Sequence, residues 1–438
     1  MDPVVTLDYP RSPITPEIAA IELPRVMKVR QRIETPEIKD VPEAVKRELE
    51  RVNLAERIKP GMRVCITVGS RGISSVAEVA ATIAAEVKRL GGEPFIVPAM
   101  GSHGGATAEG QKGALAKLGV TEEKVGCPIK ATMEVVELGK LPRGMPVYMD
   151  KYAATEADGI ILLNRIKPHS PWGHIGSGPI KISAIGLGKQ KGCNTIHSWT
   201  IGTTTLYHTL IEVYNFIRER KNILMGFAIM DNAFARPGKF VGMRPEELPE
   251  MEPVLRREED KVVARLPFYP LDVLVVDEMG KNRSPAGIDP LVTGRPGLDQ
   301  AGNPVPGQVK IKSVVVLDIT KESYGNAVGI GNVDVTTRRL ASKIDFYAMY
   351  MNAVSACQTW GARLPMVLPS DKEAIQMAVL SCGMESRANL RLIRAKNTLQ
   401  IGEVYVSEAL AKEVPNMANL EQLSDLEPMK FDENGNLF

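Results

Sequence analysis

The sequence is poor in histidine, tryptophan and cysteine, and each shortage excludes something. Its 438 residues hold five histidines, three tryptophans and five cysteines, and aromatic residues make up only 5%. The cysteines (Cys65, Cys127, Cys193, Cys357 and Cys382) are odd in number, widely spaced and never in C-x-x-C. A disulfide framework and a structural zinc site are thereby excluded; Cys65 and Cys382 lie in apolar surroundings and read as small core residues. A charge excess is also missing. Lys+Arg 54 against Asp+Glu 52 leaves +2, too little for a dedicated nucleic-acid binder, which needs a basic excess to neutralise phosphates. No apolar run approaches the ~18 residues that span a bilayer, and Met1-Asp2-Pro3 does not open a signal peptide. These absences predict a cytoplasmic protein without nucleic-acid or membrane partners. HExxH, GxSxG, Walker A and GxGxxG patterns are absent too, which argues against the zinc-protease, serine-hydrolase, P-loop and dinucleotide-binding classes.

What is present is an ordinary globular composition, 44% hydrophobic and 24% charged, at a length that suits two or three domains. Residues 1–40 carry six prolines, at 3, 10, 13, 16, 24 and 36, which excludes a long helix and predicts an extended arm. A helix is expected over Pro42–Ile58, then a buried strand at Met62–Val68. Ser75-Val76-Ala77-Glu78 reads as a capping box opening a helix whose apolar face is Val76, Val79, Ile83 and Val87. A strand at Phe95–Pro98, a loop to Gly105 and a helix over Ala108–Leu118 repeat the unit, followed by a strand at Gly159–Leu163. Helix resumes over Thr203–Arg218, and Ile223–Met230 is a further strand. Arg236–Pro253, rich in proline, glycine and glutamate, reads as a connector. Strands at Asp272–Asp277 and Lys312–Asp318 and helices at Asp345–Ala356 and Asp371–Leu380 complete the pattern. Strand–loop–helix repeats mean parallel sheets. The fold class expected is therefore α/β, with an N-terminal domain over 41–260 and a C-terminal domain over 261–438. The Gly/Pro-rich loop Arg295–Gln308 reads as a flap.

Chemistry concentrates between residues 70 and 200. All five histidines fall between His103 and His208, and Arg71, His103 and His169 each stand just past the carboxyl end of a predicted strand. Ligands of open parallel sheets bind outside those ends. Taken singly, Arg71 can cap a helix and either histidine can be structural; together they favour a shared site. Gly176, Ser177 and Gly178 allow close backbone approach to an anion, and Lys181 adds an amine. A second basic turn, Gly186-Leu187-Gly188-Lys189-Gln190-Lys191-Gly192, has similar features, and solvated turns are the plain reading of both. His169, His174 and His197 match no common zinc spacing, whereas imidazoles near neutrality suit acid/base work. His208, inside a predicted helix, reads as a packing residue. Two further readings of the histidine cluster stay open: a metal-dependent hydrolase or lyase, and a non-catalytic nucleotide- or anion-binding protein.

At these residues the chain resembles the lactate racemase family, enzymes that use a nickel-pincer nucleotide. The matching features, in order, are Arg71 in Gly69-Ser70-Arg71, His103 in Gly101-Ser102-His103, Pro168-His169, Ser177-Gly178-Pro179-Ile180-Lys181, and His197 sixteen residues beyond that lysine. The resemblance covers residues 60–200 and thins to the strand Asp272–Asp277 and its following loop. It implies two α/β domains with the active site in the cleft between them, and a racemase or epimerase of a 2-hydroxy acid. It further implies a pyridinium mononucleotide with two sulfur-containing arms holding nickel, linked covalently to Lys181, with Ser177 and Gly178 beside it and His197 as the nickel ligand. His103 and His169 would be the acid/base pair, and Arg71 would hold the substrate. Such an enzyme depends on cofactor-assembly enzymes as partners, and a homo-oligomer is compatible with it.

The chain also departs from the lactate racemase pattern. The stretch between Pro168-His169 and Lys181 is longer, which brings in His174 as an alternative to His169. The loop after Asp277 carries Lys281, Asn282, Arg283 and Arg295 in place of the family's glutamine and lysine. If Lys281 and Arg295 both face the cleft, they supply more positive charge than one carboxylate needs, and predict a hydroxy acid larger or more polar than lactate, with a second carboxylate or several hydroxyls.

Overall fold

The computed structural model describes residues 16–70, 73–167, 176–201, 203–262, 265–284, 286–295 and 310–437. Two sheets organise it. The first runs in the order Glu93–Pro98, Arg63–Val68, Gly159–Arg165, Ile223–Asp231, Pro237–Met243; the first four strands are parallel and the last is antiparallel. Its strands are near-continuous apolar runs because both faces are covered. Ile160 and Leu162 face one core layer, and Ile161 and Leu163 face the other.

The second sheet has eight strands, in the order Met366–Leu368, Val335–Thr337, Ile311–Ile319, Leu271–Met279, Leu392–Ala395, Glu403–Ser407, Val26–Gln31, Leu420–Gln422. The first five are parallel and the last three antiparallel. Leu274 and Val276 point to one layer and Val273 and Val275 to the other. The α/β class and the parallel strands are thus as the sequence pattern predicts. No described helix is long and apolar enough to cross a membrane.

Several elements differ from expectation for physical reasons. Within the predicted arm, Val26–Gln31 alternates buried and less buried residues between two prolines and forms a strand in the middle of the second sheet's antiparallel part. The predicted helix over 42–58 breaks at Asn53, whose φ of 54° separates Val41–Arg51 from Leu54–Arg57. Ser75 does precede the helix Val76–Arg89, but at φ 55° its hydroxyl makes no capping bond. The capping box is therefore not formed, and the neighbouring Ser74 bonds Asp231 instead.

The largest difference is the predicted connector Arg236–Pro253. It supplies the edge strand Pro237–Met243 and the start of a helix, Leu248–Val262, with Pro253 inside. Pro253 is the sixth residue of that helix, past the four N–H groups that have no intrahelical acceptor, so it leaves the Pro249 carbonyl without its usual donor. A hairpin, Val135–Lys140 with Pro146–Asp150, was not foreseen from the sequence. The proposed flap lies outside the described residues, apart from Arg295.

Candidate active site

Three adjacent parallel strands of the first sheet deliver the site's first wall. Ser70 follows Arg63–Val68, the Gly101–His103 loop follows Glu93–Pro98, and Asn164 and Arg165 end the strand Gly159–Arg165. Because the strands are parallel and neighbouring, their carboxyl ends open on one crevice. The Ser70 hydroxyl is hydrogen-bonded to His103 Nδ1, so proton exchange between His103 and a ligand would run through Nε2.

The loop carrying His103 is held from below by a buried polar chain. Gln111 Nε2 donates to Gly101 O at 2.9 Å and to His103 O at 3.2 Å. Gln111 Oε1 accepts from Lys189 Nζ at 2.9 Å, and Lys189 also reaches Pro98 O and lies 3.1 Å from Asp150. All three side chains are wholly buried. The second basic turn is therefore an internal brace: Lys189 is committed to Asp150 and Gln111, and Lys191 lies over the Tyr148 ring.

Lys181 ends the short helix Pro179–Lys181, which passes into a wide turn over Ile182–Gly186, closed by Leu187 N–H on Ile182 O at 2.8 Å. Wide turns of this kind frequently mark functional sites. Gly178 leaves room here for Glu252: a Cβ would lie 2.0 Å from Glu252 Oε1, so that buried side chain would have to move. Glu252 Oε2 accepts the Ile180 N–H at 2.8 Å, and Asn164 Nδ2 donates to Gly178 O at 3.0 Å. Ser177 forms a backbone bridge with Lys167.

His197 lies on the helix Lys189–Thr200. Its Nδ1 is buried and finds no hydrogen-bond partner. Burial, with Lys181 nearby, pushes its pKa down to about 4, so it is neutral at pH 7 and its lone pair is available. The same helix is tied to the second unit: Asn194 Nδ2 donates to Val354 O at 3.4 Å.

His103, Ser177, Lys181 and His197 line one cavity, and Lys281 reaches it from the second unit. Among the described lining residues there are three cations (Arg165, Lys181 and Lys281) and no carboxylate, so the cavity suits an anionic ligand. Arg71, His169 and His174 lie outside the described residues. Arg295 does not line the cavity. Its guanidinium is 2.7 Å from Asp334 and donates to Ile311 O and Lys312 O, at the amino end of the strand Ile311–Ile319, whereas Lys281 follows the carboxyl end of the neighbouring strand. The expectation that both cations face the cleft therefore fails for Arg295. His208 sits at the start of the helix Leu206–Arg220, bonded to Thr205.

Sequence reasoning missed Asn164, Tyr207, Asn332, Asn352, Gln358 and Trp360, which also line the cavity. Asn164 had a signal, since it ends a buried strand; the amides of the second unit had none. Among the described residues no three His, Cys, Asp or Glu side chains cluster as a metal site.

Fold and cavity together define an α/β protein with a cationic, histidine-bearing site between two sheets. Residues 9–206 match the lactate racemase N-terminal domain family. Among solved structures, the lactate racemase apoprotein from Thermoanaerobacterium thermosaccharolyticum is similar at 13% identity and a TM-score of 0.46, covering 86% of this chain and 99% of that one. No curated protein matches the chain.

Proposed function

We propose that the protein is a racemase or epimerase of a 2-hydroxy acid larger or more polar than lactate, working with a nickel-pincer nucleotide attached to Lys181. The observation that carries this reading is a single cavity, free of carboxylates among its described lining residues, that is lined by His103, Lys181 and His197 from the lactate racemase-like domain and by Lys281 from the other unit. The residues fit the group. Lys181 provides the amine for a covalent link and Ser177 a hydroxyl beside it. The unpartnered Nδ1 of neutral His197 is a nitrogen whose burial costs about 1–3 kcal/mol until something completes it. When bound, that cofactor would supply reversible two-electron hydride chemistry at the substrate α-carbon.

The chain's own residues have three tasks. Lys281, with Arg71 from the sequence pattern, fixes the substrate carboxylate so that the α-carbon is held in one place. His103 accepts the hydroxyl proton in one direction and returns it in the other. His169 serves the opposite face, with His174 as the alternative. Oxidising the alcohol transiently avoids a carbanion beside a carboxylate, and the hydroxyl proton is the one proton that His103 must move.

The test is expression beside cofactor-assembly enzymes, followed by intact-mass and peptide analysis and chiral chromatography of hydroxy acids. An adduct on the peptide containing Lys181, lost in Lys181→Ala, is expected. His103→Ala should lower turnover about 10²–10⁴-fold in both directions. Metal-dependent hydrolysis without an adduct would replace this reading with a hydrolase.

A further inference from the structure

The wall contributed by the second unit is made of neutral amides. Asn332 ends the short turn Ile330–Asn332, Asn352 lies on the helix Phe346–Ser355, and Gln358 stands in the loop before Trp360. All three line the cavity. Asn332 is only 6% exposed, and among the described residues neither its side-chain amide nor that of Gln358 finds a hydrogen-bond partner. Asn352 accepts a bond from Asn326 at 3.3 Å through Oδ1, which leaves its NH₂ toward other partners. Around them the wall is mostly apolar or glycine (Ala286, Pro290, Val328, Gly329), with Lys281, Trp360 and Ser355 as its other polar residues, and the Ser355 hydroxyl is already donated to Met351 O at 2.7 Å.

We infer that Asn332, Asn352 and Gln358 form a hydroxyl-reading subsite, and that the preferred substrate is a polyhydroxylated 2-hydroxy monocarboxylate. This rests on the racemase reading above and narrows it. An amide offers both a donor and an acceptor, as a hydroxyl does, whereas a second carboxylate accepts only and calls for a cation. The one cation that the second unit brings to the cavity among the described residues is Lys281, and one carboxylate already needs it. Arg295, the other candidate, is spent on Asp334. Lactate would bring a methyl group to these amides and leave them unpaired. Sites built to hydrogen-bond a hydroxyl reject analogues that lack it far more strongly than apolar pockets reject an extra group.

Binding to the apoprotein separates this subsite from the chemistry. Titration calorimetry with 2,3,4-trihydroxybutanoate, malate and lactate, together with chiral assay of the loaded enzyme on the same acids, gives two independent readouts. We expect trihydroxybutanoate to bind at least tenfold more tightly than either other acid. Asn332→Leu should lose on the order of 10–100-fold for it and bind lactate no more weakly than the unaltered protein does. Gln358→Met, at a less buried position, should give the same selective loss if Asn332→Leu does not fold. Malate binding best, equal or undetectable binding of all three, or equal loss for every acid would overturn the subsite. The predicted binding order without turnover of any acid would instead support the subsite and remove the racemase reading.

Discussion

At the scale of single residues, the side chains that shape the site include several that never touch a ligand. Gln111 is the clearest. It is wholly buried, and one amide ties the Gly101 and His103 carbonyls to Lys189. Gln111→Leu keeps the volume and removes all three bonds. We expect amide exchange across Gly101–Ala106 to accelerate, and kcat to fall with little change in KM, because the His103 ring loses its platform while the carboxylate anchor stays. Unchanged exchange in that segment would show that Gln111 only fills space. These residues also mark the limit of the sequence. His103, Lys181 and His197 were legible because they follow apolar runs or sit in an ordered motif. Gln111 looks like any polar helix residue, and Asn332, Asn352 and Gln358 are brought to the cavity only by the packing of the second unit.

Among elements, the helix Leu248–Val262 matters most, and its composition disguises it. Its first turns and the residues before them, with Pro245, Pro249 and Pro253, read as a linker, yet the helix presents Glu252 to Gly178 and Ile180. Strand patterns were easier to read, since runs such as Gly159–Leu163 are buried on both faces and carry their period openly. Hairpin Val135–Lys140 with Pro146–Asp150 is half-exposed, so its apolar signal was diluted. The helix also creates a pH dependence. Burial pushes Glu252 up to about 8, and burial reinforced by Asp231 does the same for Glu259. In the unfolded chain both titrate near 4.5, so below that pH their contribution to stability is fully present. As pH rises through the window from about 4.5 to 8, the unfolded carboxyls release protons that the folded ones still hold, and stability falls. Thermal melts should therefore show Tm decreasing from pH 5 to pH 8, with a shallower decrease in Glu252→Gln. Gly178→Ala, which drives a methyl into Glu252, should destabilise the fold and abolish the Lys181 adduct even when folded protein is recovered.

For the whole molecule, the decisive feature is the strand Val26–Gln31, paired with Glu403–Ser407 on one side and Leu420–Gln422 on the other. The chain enters the second sheet, leaves to build the first, and returns through the strand Leu271–Met279. A fragment of residues 265–438 therefore lacks an interior strand and exposes two unpaired edges. We expect that fragment to aggregate, and a fusion placing residues 16–35 ahead of it through a flexible linker to be soluble, as judged by size-exclusion chromatography and circular dichroism. During synthesis the same arrangement imposes an order. Val26–Gln31 emerges ahead of the whole first sheet but has no strand partners until Glu403 to Gln422 are made, some 370 residues later. The first sheet can meanwhile complete itself, since all five of its strands lie between Arg63 and Met243. The half that holds Lys181 and His197 is thus finished while the ribosome is still making its neighbour, and the segment from Glu403 to Gln422 then takes up the waiting strand.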